Sequence, residues 1–182
     1  MIVNPALYGN VPLDTAPRIR FTRGGGFMVE PNYTFVPNFN SDGVSKYGCD
    51  TFDGFGGSMA ELDTLLAWAV CATSNSNTIT IVNNRMLIGN GVGQQDRVGA
   101  AELAIKRAID AGHKDELHGA VACSDSFFPY PDAVEVLIRA GIGTIFSTSG
   151  SVNDKAVQDL CVSKGVVLVQ LPDSRARGFF GH

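Results

Sequence analysis

The stretch SMAELDTLLAWAVCATSNSNTITIVNNRMLIGNGVGQQDRVGAAELAIKRAID, residues 58–110, decides the fold, because helix and strand signals alternate in it most sharply. Ser58 and Glu61 have the spacing of a capping box, which marks the start of a helix. The apolar spacing of LDTLLAWAVCA after them is typical of a helix that is largely buried. A globular domain over residues 58–182 is therefore expected to begin with this helix.

Two strands and a second helix are predicted next along the chain. The β-branched run NTITIV and the returning run RMLIG predict a β-hairpin with its turn at Asn83-Asn84. After the glycine-rich loop GNGVGQQ, Asp96 is positioned to cap a helix through RVGAAELAIKRAID, which Gly112 ends.

The same alternation continues to the last strand. GAVACS, GTIFST and VVLVQL are strand-like runs, and the helical segments DAVEVLIRA and VNDKAVQDLCVSK lie between them. Pro131 is expected at the first position of the former helix and Ser151 as the N-cap of the latter. The order α-β-β-α-β-α-β-α-β predicts an α/β sheet with helices on its faces, the three-layer arrangement of the cytidine-deaminase-like fold.

Residues 1–57 differ in composition from the rest of the chain. Five prolines and two glycine groups punctuate this segment, and proline at that density blocks long helices. We expect an extended arm here, with a short strand at 27–29 and a second candidate strand at 33–36.

The composition excludes several function classes. Hydrophobic residues make up 45% of the 182 residues, so a packed core is expected rather than disorder. A formal net charge of -4 argues against a nucleic-acid surface, which needs a basic field. No apolar run reaches the roughly 20 residues that span a bilayer, and the first residues lack signal-peptide features. The four cysteines form no C-x-x-C pair, which indicates reduced thiols in a cytoplasmic protein.

Three loops that follow predicted strands are rich in Gly, Ser and Asp, namely GNGVGQQD, SDSFFPYP and STSGS. Ligands bind at strand ends in sheets of this kind, so these loops are expected to converge on one site. The zinc signatures of deaminases, H-x-E and P-C-x-x-C, do not occur in the sequence, and no metal is expected. GNGVGQQD lacks the lysine of a P-loop, which argues against a triphosphate cradle.

Four blocks in and around these loops resemble the AICAR transformylase domain of the bifunctional purine enzyme that also carries IMP cyclohydrolase. They are SNTITIV, GNGVGQQDRV, SDSFFPYPD and SGSVND, in the family's order and at suitable spacing. The resemblance runs from about residue 20 to residue 182 and concerns the second of the family's two deaminase-like subdomains. It implies formyl transfer from formyl-tetrahydrofolate to AICAR nucleotide in purine biosynthesis, at sites that lie on a dimer interface.

The resemblance also implies which residues bind the nucleotide. Asn77 and Arg97 would contact its carboxamide side, and Phe127 would pack against its aminoimidazole ring. The family closes with R-x-F-x-H, whose arginine helps to bind phosphate. Here the tail reads R-G-F-F-G-H, one residue longer, so Arg177 takes that role only if the backbone bulges, and Arg175 is a competing candidate.

The folate side is implied by a second group of residues. Val98, Asp132 and the backbone at Gly150 and Ser151 would lie at the pterin pocket. On their own merits, Asp125 and Asp132 have the positions of ordinary loop or helix caps. The resemblance therefore carries these folate roles.

The nucleotide residues have structural interpretations as well. Arg97 opens a helix, where a cation opposes the helix dipole, and this favours an anionic ligand over a plain surface position. Asn77, without the resemblance, would be interpreted as a polar residue at a strand edge. Of Phe127 and Phe128, one is expected in the core and the other as a platform for a ring.

Acid–base catalysis has no evident residue in this sequence. The family assigns that chemistry to a Lys-His pair in its first subdomain, and no Lys-His dipeptide occurs here. Formyl transfer to an aromatic amine needs a base and a group that stabilises the oxyanion. We therefore expect an oligomer, or a partner chain that supplies the missing half, with little turnover by the chain alone.

Two further hypotheses stay open at this point. In one, the chain is a non-catalytic purine-nucleotide-binding or regulatory module of the same fold. In the other, it is a different small-molecule enzyme that reuses the site. Joint retention of Asn77, Arg97, Phe127 and Asp132 favours the transformylase-like and regulatory hypotheses over the third.

Overall fold

The described part of the chain divides into two compact units. The computed structural model describes residues 15–32, 35–39, 41–48 and 58–176. The described residues up to Val36 form the smaller unit, and those from Pro37 onward form the larger one. The larger unit holds the main sheet, its helices and the candidate site.

The smaller unit is a β-hairpin of β1 (Arg18–Phe21) and β2 (Phe27–Glu30). Arg20 and Glu30 form an ion pair at 2.7 Å. Two cross-strand pairs bring four large apolar side chains to one face, and each of the four is more than half exposed. They are Ile19 opposite Val29 and Phe21 opposite Phe27.

Only part of this hairpin was predicted from the sequence. β2 confirms the strand expected at 27–29. β1 was missed because a run of four residues is too short to show strand alternation by itself. Of the second candidate strand, at 33–36, Phe35 and Val36 are not in a strand, and the other two positions lie outside the described residues.

The larger unit is built on a mixed sheet of six strands. Its spatial order is β3-β8-β7-β6-β4-β5, in which β6, β7 and β8 run parallel and the other pairings are antiparallel. The strands are β3 (Ser45–Tyr47), β4 (Ile79–Asn83), β5 (Met86–Gly91), β6 (Val121–Ser124), β7 (Thr144–Ser149) and β8 (Val167–Pro172).

Helices cover both faces of this sheet and complete three layers. α1 packs on β4 and β6, whereas α2 packs on β5 and contacts α3, which in turn contacts α4. The predicted order of nine elements is present, so the α/β prediction is confirmed. The helices are α1 (Met59–Ala72), α2 (Arg97–Asp110), α3 (Asp132–Arg139) and α4 (Asp154–Ser163), with one 3₁₀ turn (Asp115–Leu117) and a last short helix, α5 (Asp173–Ala176).

Local caps set the starts of the first two helices, as predicted. The Ser58 hydroxyl accepts a hydrogen bond from the Glu61 amide at 3.2 Å, and the Asp96 carboxylate accepts one from the Gly99 amide at 2.7 Å. The later helices start differently from the prediction. Pro131 is the cap rather than the first helical residue, and α4 starts at Asp154 instead of directly after Ser151.

The turn between β4 and β5 is one residue later than expected. The two residues in left-handed conformation are Asn84 and Arg85, with φ of 51° and 60°, as a type I′ turn requires. The buried carboxylate of Asp63 on α1 accepts hydrogen bonds from both of their amides, at 2.9 and 2.6 Å. This contact with Asp63 stabilises the left-handed conformation of Arg85, at a turn position where glycine is usual. Because Asp63 is distant in the sequence, the position of the turn could not be predicted from local residues.

The segment predicted as an arm also contributes a strand to the main sheet. β3 (Ser45–Tyr47) pairs antiparallel with β8, with Lys46 opposite Val169. Three residues give no periodic signal, and the partner strand lies more than a hundred positions away in the sequence. Pairing with β8, rather than intrinsic propensity, explains this strand.

The core is close-packed on the α2 side of the sheet. Ile79 and Ile81 of β4 point to this side, together with the alanines of α2, all fully buried. The described cysteines Cys71, Cys123 and Cys161 are buried free thiols, as expected, while Cys49 lies outside the described residues. Burial raises the pKa of the Cys161 thiol to about 11.

Helix α2 lies unusually close to β5, because β5 carries glycine at the contacts. A Cβ atom at Gly89 would lie 2.3 Å from the carbonyl oxygen of Ala104, and one at Gly91 would lie 2.0 Å from that of Ala100. Such separations are far below van der Waals contact. The first glycines of the glycine-rich segment therefore serve helix–sheet packing.

We expect Gly91→Ala to destabilise the larger unit by about 1–3 kcal/mol, because α2 must move away from β5. Gly99→Ala is the matched control within α2: its Cβ would meet Asp96 only at 3.4 Å, and alanine is the better helix former. Chemical denaturation of both variants measures the difference. Equal stabilities for the two would contradict the close packing.

Candidate functional site

Two open clefts lie side by side at the start of α2. The Asn77 cleft has a volume of about 480 Å³, and the Asp132 cleft has one of about 460 Å³. They share Asp96, Arg97 and Pro129. The Asn77 cleft is further lined by Ser76, Asn77, Gln95, Ser126 and Phe127, and the Asp132 cleft by Val98, Gly99, Glu102, Tyr130 and Asp132.

Arg97, at the shared edge, is paired with a carboxylate from the end of β6. Its Nη1 donates to Asp125 Oδ1 at 2.5 Å and to Ser124 Oγ at 3.0 Å. Asp125 is fully buried and the Arg97 side chain is only 9% exposed. The anion that balances the cation at the helix start is thus Asp125, whereas the sequence argument assigned that anion to a ligand.

The chain holds Asp125 from several sides. Its Oδ1 accepts a hydrogen bond from the Thr78 amide at 3.0 Å, and its own amide donates to the Thr78 carbonyl at 3.2 Å. Burial by itself would raise the pKa of Asp125, but the Arg97 guanidinium and the bonds from Ser76, Arg97 and Thr78 hold that pKa below its usual value. A charged Asp125 at neutral pH follows.

Asn77 binds the glycine-rich loop to the segment just before β4. Its Nδ2 donates to the carbonyls of Gln94 and Gln95, at 3.0 and 3.2 Å. The backbones of Asn77 and Gln94 exchange two further hydrogen bonds. The plain interpretation of a polar residue at a strand edge therefore applies, and Asn77 also lines the cleft.

The two phenylalanines divide as predicted between core and cleft. Phe128 is 1% exposed and belongs to the core, whereas Phe127 is half-buried and lines the Asn77 cleft. Chain direction in this loop decides which ring points inward, and the sequence carries no signal for it. Phe127 thus has an accessible aromatic surface where a planar ligand fits.

Val98 and Asp132, the implied folate residues on α2 and α3, line the Asp132 cleft together. Val98 is half-buried against the core, and Asp132 is exposed. The Asp132 carboxylate accepts a hydrogen bond from the neighbouring Ala133 amide at 2.8 Å. One cleft therefore offers an apolar wall and a carboxylate next to each other.

Gly150 lies beside Phe127, and neither Gly150 nor Ser151 is in the lining of the Asp132 cleft. A Cβ atom at Gly150 would lie 4.0 Å from the Phe127 ring and 3.4 Å from Asp173 Cβ. The Gly150 amide donates to Asp154 Oδ2 at 2.6 Å, and Ser151 Oγ accepts from the Asn153 amide at 3.1 Å. The structure therefore does not bring these two residues together with Val98 and Asp132 in one cleft lining.

The two tail arginines proposed for phosphate differ in what is described. Arg177 lies outside the described residues. Arg175, on α5, donates a hydrogen bond to the Asp42 carbonyl and is exposed. Arg175 is not in the lining of either of the two clefts described above.

Several polar residues near the Asn77 cleft were not assigned to a site from the sequence, and Asp125 was interpreted only as a cap. Ser124, Asp125 and Ser126 follow one another, and Ser124 Oγ donates to the Ser126 carbonyl at 2.8 Å. Asp173 Oδ1 accepts from Thr148 Oγ1 at 2.8 Å and from Ser126 Oγ at 3.4 Å. The S-D-S part of the SDSFFPYPD block was the available signal for the first three.

The described part of the chain has neither a cluster of metal-ligating side chains nor a membrane-spanning helix. Its His, Cys, Asp and Glu side chains do not gather in groups of three that could hold a metal ion. None of the described helices has both the length and the apolar character needed to cross a bilayer.

The match to a family model and the curated relatives point to the same bifunctional purine enzyme. Residues 56–107 match the family model described as AICARFT/IMPCHase bienzyme. The Bifunctional purine biosynthesis protein PurH of Oceanobacillus iheyensis is 44% identical over 107 residues, which are 59% of this chain and 20% of that protein. The PurH protein of Mycobacterium ulcerans is 42% identical over 106 residues, 58% of this chain and 19% of that protein.

The chain thus spans about a fifth of the length of the curated relatives it matches. A solved structure, Acinetobacter baumannii RibD, form 2, is similar with a TM-score of 0.43 and 16% identity. That similarity covers 67% of this chain and 40% of the RibD chain.

The Arg97–Asp125 pair predicts a specific dependence on charge and pH. Arg97→Met leaves Asp125 buried without its counterion, so the pKa of Asp125 should rise above its ordinary value and the chain should lose about 3–5 kcal/mol of stability. In the unaltered chain, the contribution of Asp125 is complete above roughly pH 4 and is lost as the pH falls through its lowered folded-state pKa. Carboxyl titration by NMR and chemical denaturation measure both effects.

An exposed arginine–carboxylate pair provides the matched control. Arg139 lies 3.6 Å from Glu135 on α3, with both side chains more than half exposed. Arg139→Met should change stability by less than about 1 kcal/mol. If Arg97→Met lowers the free energy of unfolding no more than Arg139→Met does, the buried Arg97–Asp125 pair does not stabilise the fold more than an exposed pair.

Proposed function

Residues 56–107 match the AICARFT/IMPCHase bienzyme family, and from this premise we propose that the chain belongs to the AICAR transformylase part of that family and binds AICAR nucleotide and formyl-tetrahydrofolate for formyl transfer in purine biosynthesis. In this proposal the nucleotide occupies the Asn77 cleft and the folate occupies the Asp132 cleft. The protein acts in the cytoplasm, without a metal ion.

One observation carries the proposal. Asn77, Arg97 and Phe127, implied by the resemblance at the nucleotide, line one cleft, and Val98 and Asp132, implied at the folate, line the adjoining one. The two clefts share an edge. Group transfer requires two bound reactants with their reacting atoms in near contact, and adjoining clefts with a common edge satisfy that need.

The electrostatics of the Asn77 cleft suit a neutral acceptor group. Asp125 already neutralises the Arg97 cation, so the pair presents N–H donors with little net charge. A carboxamide oxygen is an acceptor of this kind, and the Phe127 ring offers an apolar surface to a flat heterocycle. These properties support the carboxamide and ring contacts proposed for AICAR nucleotide. The phosphate contact is assigned to a tail arginine, Arg177 or Arg175.

The Asp132 cleft suits the donor-rich edge of a pterin. An exposed carboxylate accepts hydrogen bonds from ring N–H groups, and Val98 supplies an apolar contact. Tyr130, which is 62% exposed, adds an aromatic side chain to the same lining. The proposed folate contacts at Gly150 and Ser151 require the ligand to extend past Phe127.

The catalytic acid and base are proposed to come from outside these 182 residues. Among the described residues, the linings of the two clefts include aspartate, glutamate and arginine but no histidine, lysine or cysteine. The same observation favours a second candidate function, a purine-nucleotide-binding or regulatory module without catalysis. Both candidates bind the nucleotide, and only the first supports turnover once the missing groups are supplied.

We also propose that the chain self-associates. The hairpin of the smaller unit exposes four large apolar side chains on one face, as described above. A two-stranded hairpin is marginally stable without a partner for such a face. A second copy of the chain is the proposed partner, which accords with an active site shared between subunits.

The two-cleft assignment predicts crossed effects of two substitutions on binding. Phe127→Ala should weaken AICAR nucleotide about tenfold by removing the ring contact, and should leave a formyl-tetrahydrofolate analogue nearly unaffected. Asp132→Asn should weaken the binding of the folate analogue and leave that of AICAR nucleotide nearly unaffected. Calorimetric titration measures the affinity for both ligands, and each variant is the control for the other.

Phe128→Leu is a second control, because Phe128 is buried in the core. Phe128→Leu should lower the stability of the fold and leave the affinities for AICAR nucleotide and the folate analogue within about twofold of those of the unaltered chain. The proposal fails if the unaltered chain binds neither ligand, or if Phe127→Ala and Phe128→Leu weaken the nucleotide equally.

Turnover distinguishes the two candidate functions. The purified chain should show little or no formyl transfer by itself, because no histidine, lysine or cysteine of the described residues lines its two clefts. Adding a separately produced Lys-His subdomain of a PurH relative should generate transfer if the chain is transformylase-like. Binding without turnover in that mixture would favour the regulatory candidate.

The proposed self-association predicts a change in solution mass. Phe21→Ser with Phe27→Ser should reduce the mass measured by light scattering, because both rings leave the apolar face. Met28→Ser is the matched control, since Met28 is 56% exposed on the opposite face of the hairpin. Equal masses for the unaltered chain and the double variant would contradict this assembly.

A further inference from the structure

The Arg97 guanidinium is only partly used by the protein itself. It carries five N–H donors, two of them on Nη1. Among the described residues, its hydrogen bonds run through Nη1 alone, to Ser124 Oγ and Asp125 Oδ1. The donors on Nε and Nη2 belong to a side chain that is 91% buried and lines both clefts. Because Arg97 lines two open clefts, these donors are available to water or to an acceptor group of a bound ligand.

Asp125 is held by the backbone of Thr78, the residue just before β4. The Asp125 carboxylate accepts a hydrogen bond from the Thr78 amide, and the Asp125 amide donates one to the Thr78 carbonyl. Ser124 is held in turn by its bond to the Ser126 carbonyl. Both acceptors of Arg97 Nη1 therefore have fixed positions relative to the strand ends.

Stability alone does not explain a buried ion pair at this point. Replacing such a pair by apolar residues of similar volume is often neutral or stabilising, because desolvation offsets the Coulomb attraction. A fixed guanidinium, in contrast, is useful for recognition. Its planar edge matches an amide or carboxylate group, and prior fixation reduces the entropy lost on binding.

We propose that Asp125 is a positioning residue: it holds Arg97 by Nη1 so that the Nε–Nη2 edge receives a planar acceptor group of the ligand. Ser124 assists it through the second Nη1 bond. This inference rests on the proposed function, since the acceptor it names is the carboxamide of AICAR nucleotide. Asp125 acts through Arg97 and does not touch the ligand.

A double-mutant cycle on nucleotide affinity tests this role. Asp125→Asn should weaken AICAR nucleotide about tenfold or more in the unaltered background. In an Arg97→Lys background, which has lost the planar fork, the same change should have little further effect. Ser124→Ala is a milder second variant and should weaken binding severalfold. Asp110→Asn, in an exposed pair with Lys106, is the control and should change nothing.

A spectroscopic measurement tests the same role without ligand. In the unaltered chain, the Nη1 and Nη2 nitrogens of Arg97 should give separate NMR signals, because the pair restricts rotation of the guanidinium. In Asp125→Asn these signals should merge while the rest of the spectrum stays folded. Loss of structure alone would not produce that selective change.

The outcomes separate this inference from the proposed function. Separate Nη signals that merge in Asp125→Asn, together with absent nucleotide binding, would reject the proposed function and keep the positioning role. Merged signals in the unaltered chain would overturn the positioning role. The positioning role would also be overturned if Asp125→Asn left the nucleotide affinity unchanged. The same holds if Asp125→Asn lowered that affinity equally in the unaltered and the Arg97→Lys backgrounds.

Discussion

The backbone of α2 lies so close to β5 that neither Gly89 nor Gly91 has room for a side chain, and this approach determines where the candidate site forms. A helix held at that distance has its N-terminus beside the ends of β4 and β6. Arg97, the first residue of this helix, therefore meets Ser124 and Asp125 where β6 ends. Glycines that would suggest a phosphate-binding loop in sequence serve helix–sheet contact in the fold.

That contact explains why one arginine joins both clefts. Arg97 leaves the helix start towards Asp125, while Val98, the next residue, points to the neighbouring cleft. Successive helical residues diverge by about 100°, so Arg97 lines both clefts whereas Val98 lines only the Asp132 cleft. Burial of the guanidinium is tolerated because Asp125 is equally buried and charged. The site is thus a consequence of packing first and of specific polar contacts second.

The sequence revealed those features that depend on neighbours in the chain. The starts of α1 and α2 rest on caps three residues away, and the β-branched runs around Ile79 gave their strands correctly. Features that depend on distant residues were missed. The turn at Asn84 and Arg85 needs Asp63, β3 needs β8, and the partner of Arg97 lies 28 positions further on. The division between Phe127 and Phe128 depends on chain direction, which no local pattern encodes.

The site residues came from the resemblance, and the structure gives several of them a second, structural role. Asn77 holds the glycine-rich loop through Nδ2, and a ligand contact would therefore use its carbonyl oxygen, the opposite polarity. Arg97 similarly divides its donors between Asp125 and the cleft. A residue with one edge bound to the protein presents the other edge in a fixed direction. For both side chains, a structural and a binding role are therefore compatible, and the structural contact is what orients the group for a ligand.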